Sequence, residues 1–394
     1  MSPQQPKSSR FYFIDAARAV AILMMLQGHF VDRLLNPVYR DVTDPVYATW
    51  AFFRGITAPL FFTVSGLIFV FLLLREADKG FWKNPRVRRG LKRGVELIFW
   101  GYLLRVNIFY LGMGRINASF WVVDVLHCIG LALIASIGLY ALWLKVKQVP
   151  FSLLLLSIGC LLFLFEPLYS AWNPSGIPQW LVHYVTDQKG AVFTPFPWIG
   201  YTLIGGAFGA FLRQAPKLGR TWAGPVGLFI FGILLTWLSS PFFSWLFEQT
   251  GIDLFQQIVW NNYLFIRLGN VFIVLALFWL LEQATILTAR WRLLLKIGRE
   301  TLLIYQVHYV LLYGSWFGLG LVGLYSKQLG PVEAAVGAAC FVAFFVGLIY
   351  TLEEWKAFFH DKVHQLGVTV DGLIHQGRKV RRALVIRRLA RARR

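Results

Sequence analysis

The chain has 394 residues, of which 57% are hydrophobic and 15% are Asp, Glu, Lys or Arg, against about 25% charged in an ordinary soluble domain. That balance leaves too little polar surface for a protein that dissolves in water. A formal net charge of +20 would point to nucleic acid in a soluble protein, but here its distribution along the chain assigns it to membrane topology, and no nucleic-acid partner is expected.

Apolar stretches near the ~20 residues needed to cross a hydrocarbon core recur throughout. In chain order they fall at about 11–31, 50–74, 95–112, 121–144, 150–171, 197–212, 222–245, 262–282, 301–322 and 332–353. The expected fold is therefore all-α, a polytopic transmembrane helical bundle of about ten spans. With the N-terminus inside, 30 of the 39 Lys and Arg lie in loops and tails on the cytoplasmic side. The outer loops hold Arg33, Arg40, Arg115, Lys189 and Lys327, so the positive-inside rule places both termini in the cytoplasm. One membrane domain, residues 1–353, is followed by a basic tail, residues 354–394, which reads as a segment that associates with anionic lipid. Two longer outer segments, 172–196 and 246–261, are placed to cap an external cavity.

The first span carries Asp15 and Arg18 inside its apolar run and no clear small-residue cleavage site, so it reads as a retained helix. A charge in a span costs roughly 2.5–3.5 kcal/mol even on the lenient insertion scale. Asp15, Arg18, His29, Glu96, Arg105, Asp124, His127, Glu166, Arg267 and His308 all sit in or at the edge of spans. So many on several helices point to a shared hydrated cavity.

Arg18 and His29 are eleven residues apart, three full turns plus about 20°, so they share one helix face at a separation of ~16 Å. Asp15 lies one turn below Arg18, spaced to pair with it. This suits a long anionic donor entering from inside: a guanidinium meets its phosphates, and an imidazole further along meets the reactive end. The plainer alternative is a structural ion pair with an interfacial histidine.

Arg54, descending in the second span, comes near the level of His29 and either orients a substrate or snorkels to headgroups. Ser65 and Gly66 read as close-packing residues. In the fourth span Asp124 and His127 are one turn apart, an acid–base pair or a satisfied buried pair. His308 shares a face with Tyr305 and is equally readable as a site or a core residue. Cys128, Cys160 and Cys340 lie in separate spans without metal spacing and read as small hydrophobes, so no metal site is expected.

Several of these segments together resemble the transmembrane acyltransferase superfamily, comprising acyltransferase-3 and heparan-alpha-glucosaminide N-acetyltransferase-like proteins. The stretch Arg10-Phe11-Tyr12-Phe13-Ile14-Asp15-Ala16-Ala17-Arg18, followed by His29, resembles its Asp-x-x-Arg helix. Phe61-Phe62-Thr63-Val64-Ser65-Gly66 resembles its second-helix signature. Asp124-Val125-Leu126-His127 and Phe196-Pro197-Trp198-Ile199-Gly200-Tyr201 are similar to the heparan-glucosaminide branch, and Gly298 through His308 to the late helix. Ala19 and Thr301 depart from the frequent Gly and Ser.

The resemblance implies transfer of an acyl group, commonly acetyl, from cytoplasmic acyl-CoA to a hydroxyl or amine of a glycan or lipid-linked acceptor across the membrane. His29 is then catalytic. Asp15, Arg18, Arg54, Asp124, His127 and His308 bind or orient donor and acceptor, with Arg86, Arg88, Arg89, Lys92 and Arg93 near the donor phosphates. Acyl-CoA is a substrate, so no tightly bound cofactor is expected. The implied location is a bacterial inner membrane, and a homodimer is compatible with it. The rival function is a transporter or flippase for an anionic or sugar substrate, which lacks support from inverted repeats. A bis-histidine haem among His29, His127 and His308 is disfavoured because each has other local partners.

Overall fold

A computed structural model describes residues 11–172, 176–186, 191 and 193–357. Of the basic tail 354–394 only residues 354–357 are described, and residues 173–175, 187–190 and 192 of the outer segment 172–196 lie outside the described residues. The helices that matter here are α1 (Tyr12–Leu34), α2 (Pro45–Arg54), α3 (Thr57–Leu74), α4 (Pro85–Leu103), α5 (Val125–Val146), α6 (Phe151–Leu164), α7 (Pro195–Gln214), α8 (Ala223–Thr250), α9 (Tyr263–Gln283), α10 (Arg292–Arg299), α11 (Thr301–Tyr313) and α12 (Pro331–Tyr350). Among the described residues β-pairing is limited to two isolated bridges, so the fold is all-helical. The chain divides into a large unit, Met1–Val342, which contains the candidate site, and a second unit from Ala343.

Each apolar stretch read from the sequence lies on a helix or a broken pair of helices. Among the described residues, six helical runs are long and apolar enough to cross a membrane: Tyr12–Leu34, Pro45–Leu74, Ala118–Val146, Ala223–Thr250, Tyr263–Gln283 and Pro331–Tyr350. The chain is thus an integral membrane protein.

Several boundaries differ from the reading by hydropathy. The third stretch, expected at 95–112, is helical from Pro85, because Asn84 caps the helix by accepting from Arg86 N and Pro85 occupies its first turn. The basic residues Arg86 to Arg93 therefore ride on a helix. At its other end the helix stops at Leu103. Ile108 N donates to Trp316 O at 2.8 Å and Trp316 N to Val106 O at 3.1 Å, tying this loop to the one after α11. The stretch at 150–171 breaks at Phe165 before a short helix Glu166–Ser170. The stretch at 301–322 stops at Gly314, whose φ of 69° provides a left-handed cap.

Close helix approach sets the frame of the site. α3 packs along α7, and a Cβ on Gly66 would collide with the carbonyl of Thr202, as one on Gly205 would with that of Thr63. Gly66 is thus a packing residue. α10 approaches α1 equally closely, Gly298 against the carbonyl of Asp15. The start of α1 has no side-chain cap of its own. Glu282 at the end of α9 supplies one, accepting from Phe13 N at 2.7 Å, and its negative charge suits the positive end of the helix dipole. Phe13 stacks on Trp279 of the same helix, with centroids 5.3 Å apart. α1 is therefore held between α3, α9, α10 and α11 with one face left open.

Candidate active site

The open face of α1 lines a cavity of about 1120 Å³. Its wall is completed by α2, α3, α4, the start of α5 and one face of α11. Arg18 and His29 both lie on it, as their spacing requires, together with Arg54, Ser65 and Asp124. Asp32, Arg33, Arg40, Arg93, Arg105, Thr301, Tyr305, Tyr309 and Tyr313 also contribute.

At one end, Arg18 Nη2 donates to Thr301 Oγ1 at 3.0 Å, joining α1 to α11. Arg93 comes close enough to repel Arg18 and Asp15 close enough to attract it. Asp15 itself is not on the cavity wall. Arg93 pairs with Glu96 one turn along, Nη1 to Oε2 at 3.1 Å. This end is a cationic recess.

About three turns along α1 stands His29. Its Nδ1 lies 3.2 Å from Nε2 of His308 and 3.3 Å from the hydroxyl of Tyr313. Its Nε2 has no hydrogen-bond partner among the described residues. One turn further, Asp32 forms an ion pair with Arg54, so the arginine that sequence spacing brought to this level does arrive there. Arg40 Nη2 donates to the carbonyls of Asp32 and Leu35, both at 2.7 Å, closing the end of α1. Arg33 lies over the ring of Tyr313 at 5.4 Å.

Asp124 is the N-cap of α5, accepting from Leu126 N at 3.0 Å. Arg105 Nε donates to its other oxygen at 3.3 Å, and Tyr305 reaches that oxygen at 3.5 Å. His127 Nδ1 is 2.9 Å from Asp124 Oδ1 and 3.2 Å from Asp124 N. These contacts form a capping box with histidine in place of the usual Glu or Gln.

Expected beside the substrate, His127 and His308 are both 0% exposed and stand behind the cavity wall. Steric fit explains His127: its imidazole fills the space over Gly101, where any Cβ would collide with the ring, and Tyr102 meets it edge-on at 4.4 Å. His308 is covered by Tyr305, Tyr309 and Tyr313, which occupy the cavity side of α11. Reading the sequence missed Tyr309, Tyr313, Asp32 and Thr301 as site residues. Tyr305, Tyr309 and Tyr313 recur every four residues, the spacing of one helix face, and Asp32 follows His29 by three; those signals were present.

An apolar helical bundle enclosing a charged chamber, with an imidazole nitrogen free on its wall, has the makings of a membrane-embedded transferase. The chain belongs to the heparan-alpha-glucosaminide N-acetyltransferase catalytic family, which matches residues 10–249, and is thereby a membrane protein of the acetyltransferase class. No curated protein matches the chain. The matched segment contains Arg18, His29, Arg54 and Asp124, while His308 and Tyr313 lie beyond it.

Proposed function

We propose that this protein is an acyltransferase that crosses the membrane about ten times with both termini in the cytoplasm. It takes an acetyl group from cytoplasmic acetyl-CoA and delivers it to a hydroxyl or amine of a glycan or lipid-linked acceptor on the far side, in a bacterial inner membrane. The observation that carries this reading is His29: its Nδ1 is engaged by His308 and Tyr313, and its Nε2, on the cavity wall, has no partner among the described residues.

The donor's phosphates meet Arg18 and Arg93, with Arg86, Arg88, Arg89 and Lys92 on the first turns of α4 drawing them in from the inner surface. An extended donor then runs along α1 for the ~16 Å that separates Arg18 from His29, bringing its thioester to the imidazole. Asp32–Arg54 and Asp124–Arg105 border the acceptor side. Asp15, off the wall, steadies Arg18, and His127 steadies Asp124.

In the direct route, Nε2 of His29 removes the acceptor's O–H or N–H proton as that atom bonds to the thioester carbonyl carbon. The carbon–sulfur bond breaks, and the departing thiolate takes the proton back from Nε2. In the two-step route Nε2 itself attacks the carbonyl and expels the thiolate, leaving a cationic acetylimidazole; the acceptor atom then bonds to that carbonyl carbon, the carbon–Nε2 bond breaks, and the acceptor's proton passes to the thiolate. Both use the same nitrogen.

Acetyl transfer from labelled acetyl-CoA in membranes holding the wild-type protein tests the proposal. Wild-type transfer that disappears in His29→Ala supports it, and undiminished transfer in that variant ends the assignment of His29. The cavity's polar lining extends from Arg18 to Arg40 and Asn117, at both ends of its wall, which also favours a transporter. Substrate counterflow in proteoliposomes without any acyl donor would decide for transport.

A further inference from the structure

His308 cannot touch a substrate: it is 0% exposed and off the cavity wall. Yet its Nε2 lies 3.2 Å from Nδ1 of His29, across 279 residues of sequence. At that distance one proton fits between the two nitrogens, and which of them carries it decides what His29 can do. A proton on His29 Nδ1 leaves a lone pair on Nε2, the form that acts as base or nucleophile. A proton on His308 Nε2 forces His29 into the other tautomer, with Nε2–H facing the substrate and no lone pair to offer.

The surroundings of His308 favour the first arrangement. On its own helix the imidazole lies against the carbonyls of Ile304 and Tyr305. Carbonyls only accept, so their field favours a proton on Nδ1 of His308, which has no hydrogen-bond partner of its own among the described residues, and its Nε2 is left as an acceptor. Tyr313, whose hydroxyl is 3.3 Å from the same His29 nitrogen, has an oxygen that can accept the same Nδ1–H in a shared bond.

We propose that His308 is a positioning residue that holds the proton of His29 on Nδ1 and so keeps the cavity-facing Nε2 reactive. When Nε2 takes the acceptor's proton, the positive charge on His29 is shared through Nδ1–H···Nε2, and it disappears as that proton passes to the departing thiolate. The role is that of the orienting partner in a hydrolase triad, performed by a neutral imidazole. This rests on His29 being the reacting residue, so the experiment reads His29 directly as well as acetyl transfer.

The probe is diethyl pyrocarbonate, which acylates unprotonated imidazole nitrogen, applied to the purified full chain with modification of His29 followed by mass spectrometry. His308→Gln places an amide oxygen where Nε2 was and is expected to keep the His29 rate within about threefold of wild type. His308→Phe removes the acceptor and is expected to slow it about tenfold or more. Acetyl transfer should follow, with kcat falling and KM for acetyl-CoA unchanged in His308→Phe. His308→Leu, smaller and equally unable to accept, repeats that arm if the phenyl ring prevents folding. Tyr313→Phe is expected to have a smaller effect than His308→Phe.

Equal His29 rates in wild type and His308→Phe overturn the proposal, and so does a loss in His308→Gln as large as in His308→Phe, or a larger loss in Tyr313→Phe. A wild-type chain that shows the expected modification pattern but no acetyl transfer would refute the enzymatic reading and leave the pairing of the histidines intact.

Discussion

Two imidazole clusters lie in the same helical bundle, and their chemistry and their access point in opposite directions. Around His127 stand a carboxylate, a guanidinium and a tyrosine, the residue types expected of an acid–base site. Around His29 stand a second histidine and a tyrosine, with no carboxylate hydrogen-bonded to the ring among the described residues. His127 nevertheless closes the first turn of α5 and is sealed over Gly101, while His29 presents a free nitrogen to the cavity. A histidine sealed away from the cavity stabilises the fold; one that opens a nitrogen onto it can do chemistry.

The strongest way to break this comparison is to exchange the expected consequences of losing each ring. His29→Ala should lower kcat for acetyl transfer by about 10³-fold, within the range for a general acid–base residue, with the protein's melting temperature little changed. Activity assays and thermal unfolding in detergent measured on the same preparation would show it.

Asp124→Ala comes next. It removes the α5 cap and leaves Arg105, whose side chain is 11% exposed, without its carboxylate. Breaking a buried pair by removing one partner costs about 3–5 kcal/mol, so a marked fall in melting temperature or poor accumulation is expected. Normal stability would show that Asp124 is not structural.

His127→Gln should keep the capping contact, because a glutamine at this third position is the ordinary member of a capping box. The expected result is kcat within about fivefold of wild type, as for a residue outside the reacting set, with a modest loss of stability. A loss of kcat as large as that of His29→Ala would reverse the comparison.

Thr301→Val should have the smallest effect. It removes the hydroxyl that accepts from Arg18; a single such bond contributes about 1 kcal/mol, or roughly fivefold in KM for acetyl-CoA. No change in kcat is expected, since Thr301 and Arg18 sit about three turns from His29. A kcat effect instead would place Thr301 nearer the chemistry than the cavity shows.

Much of the architecture was legible along the chain because apolar length and helical period are local properties. The stripe from Arg18 to His29 needed only 3.6 residues per turn and a helix that stays intact. The start of α4 was misjudged because Asn84 and Pro85 begin it among arginines, where hydropathy sees a loop. The end of the late helix was misjudged because Gly314 stops it within an apolar run.

Sequence by itself determined that this is a membrane protein with buried charge, and that Arg18 and His29 face the same way, since both follow from composition and from the geometry of one helix. Which histidine is free, which is sealed, and that His308 meets His29 were decided by tertiary structure alone. Those facts depend on how α11 packs against α1 and how Gly101 makes room for His127. No period along a chain encodes contacts between groups 279 residues apart.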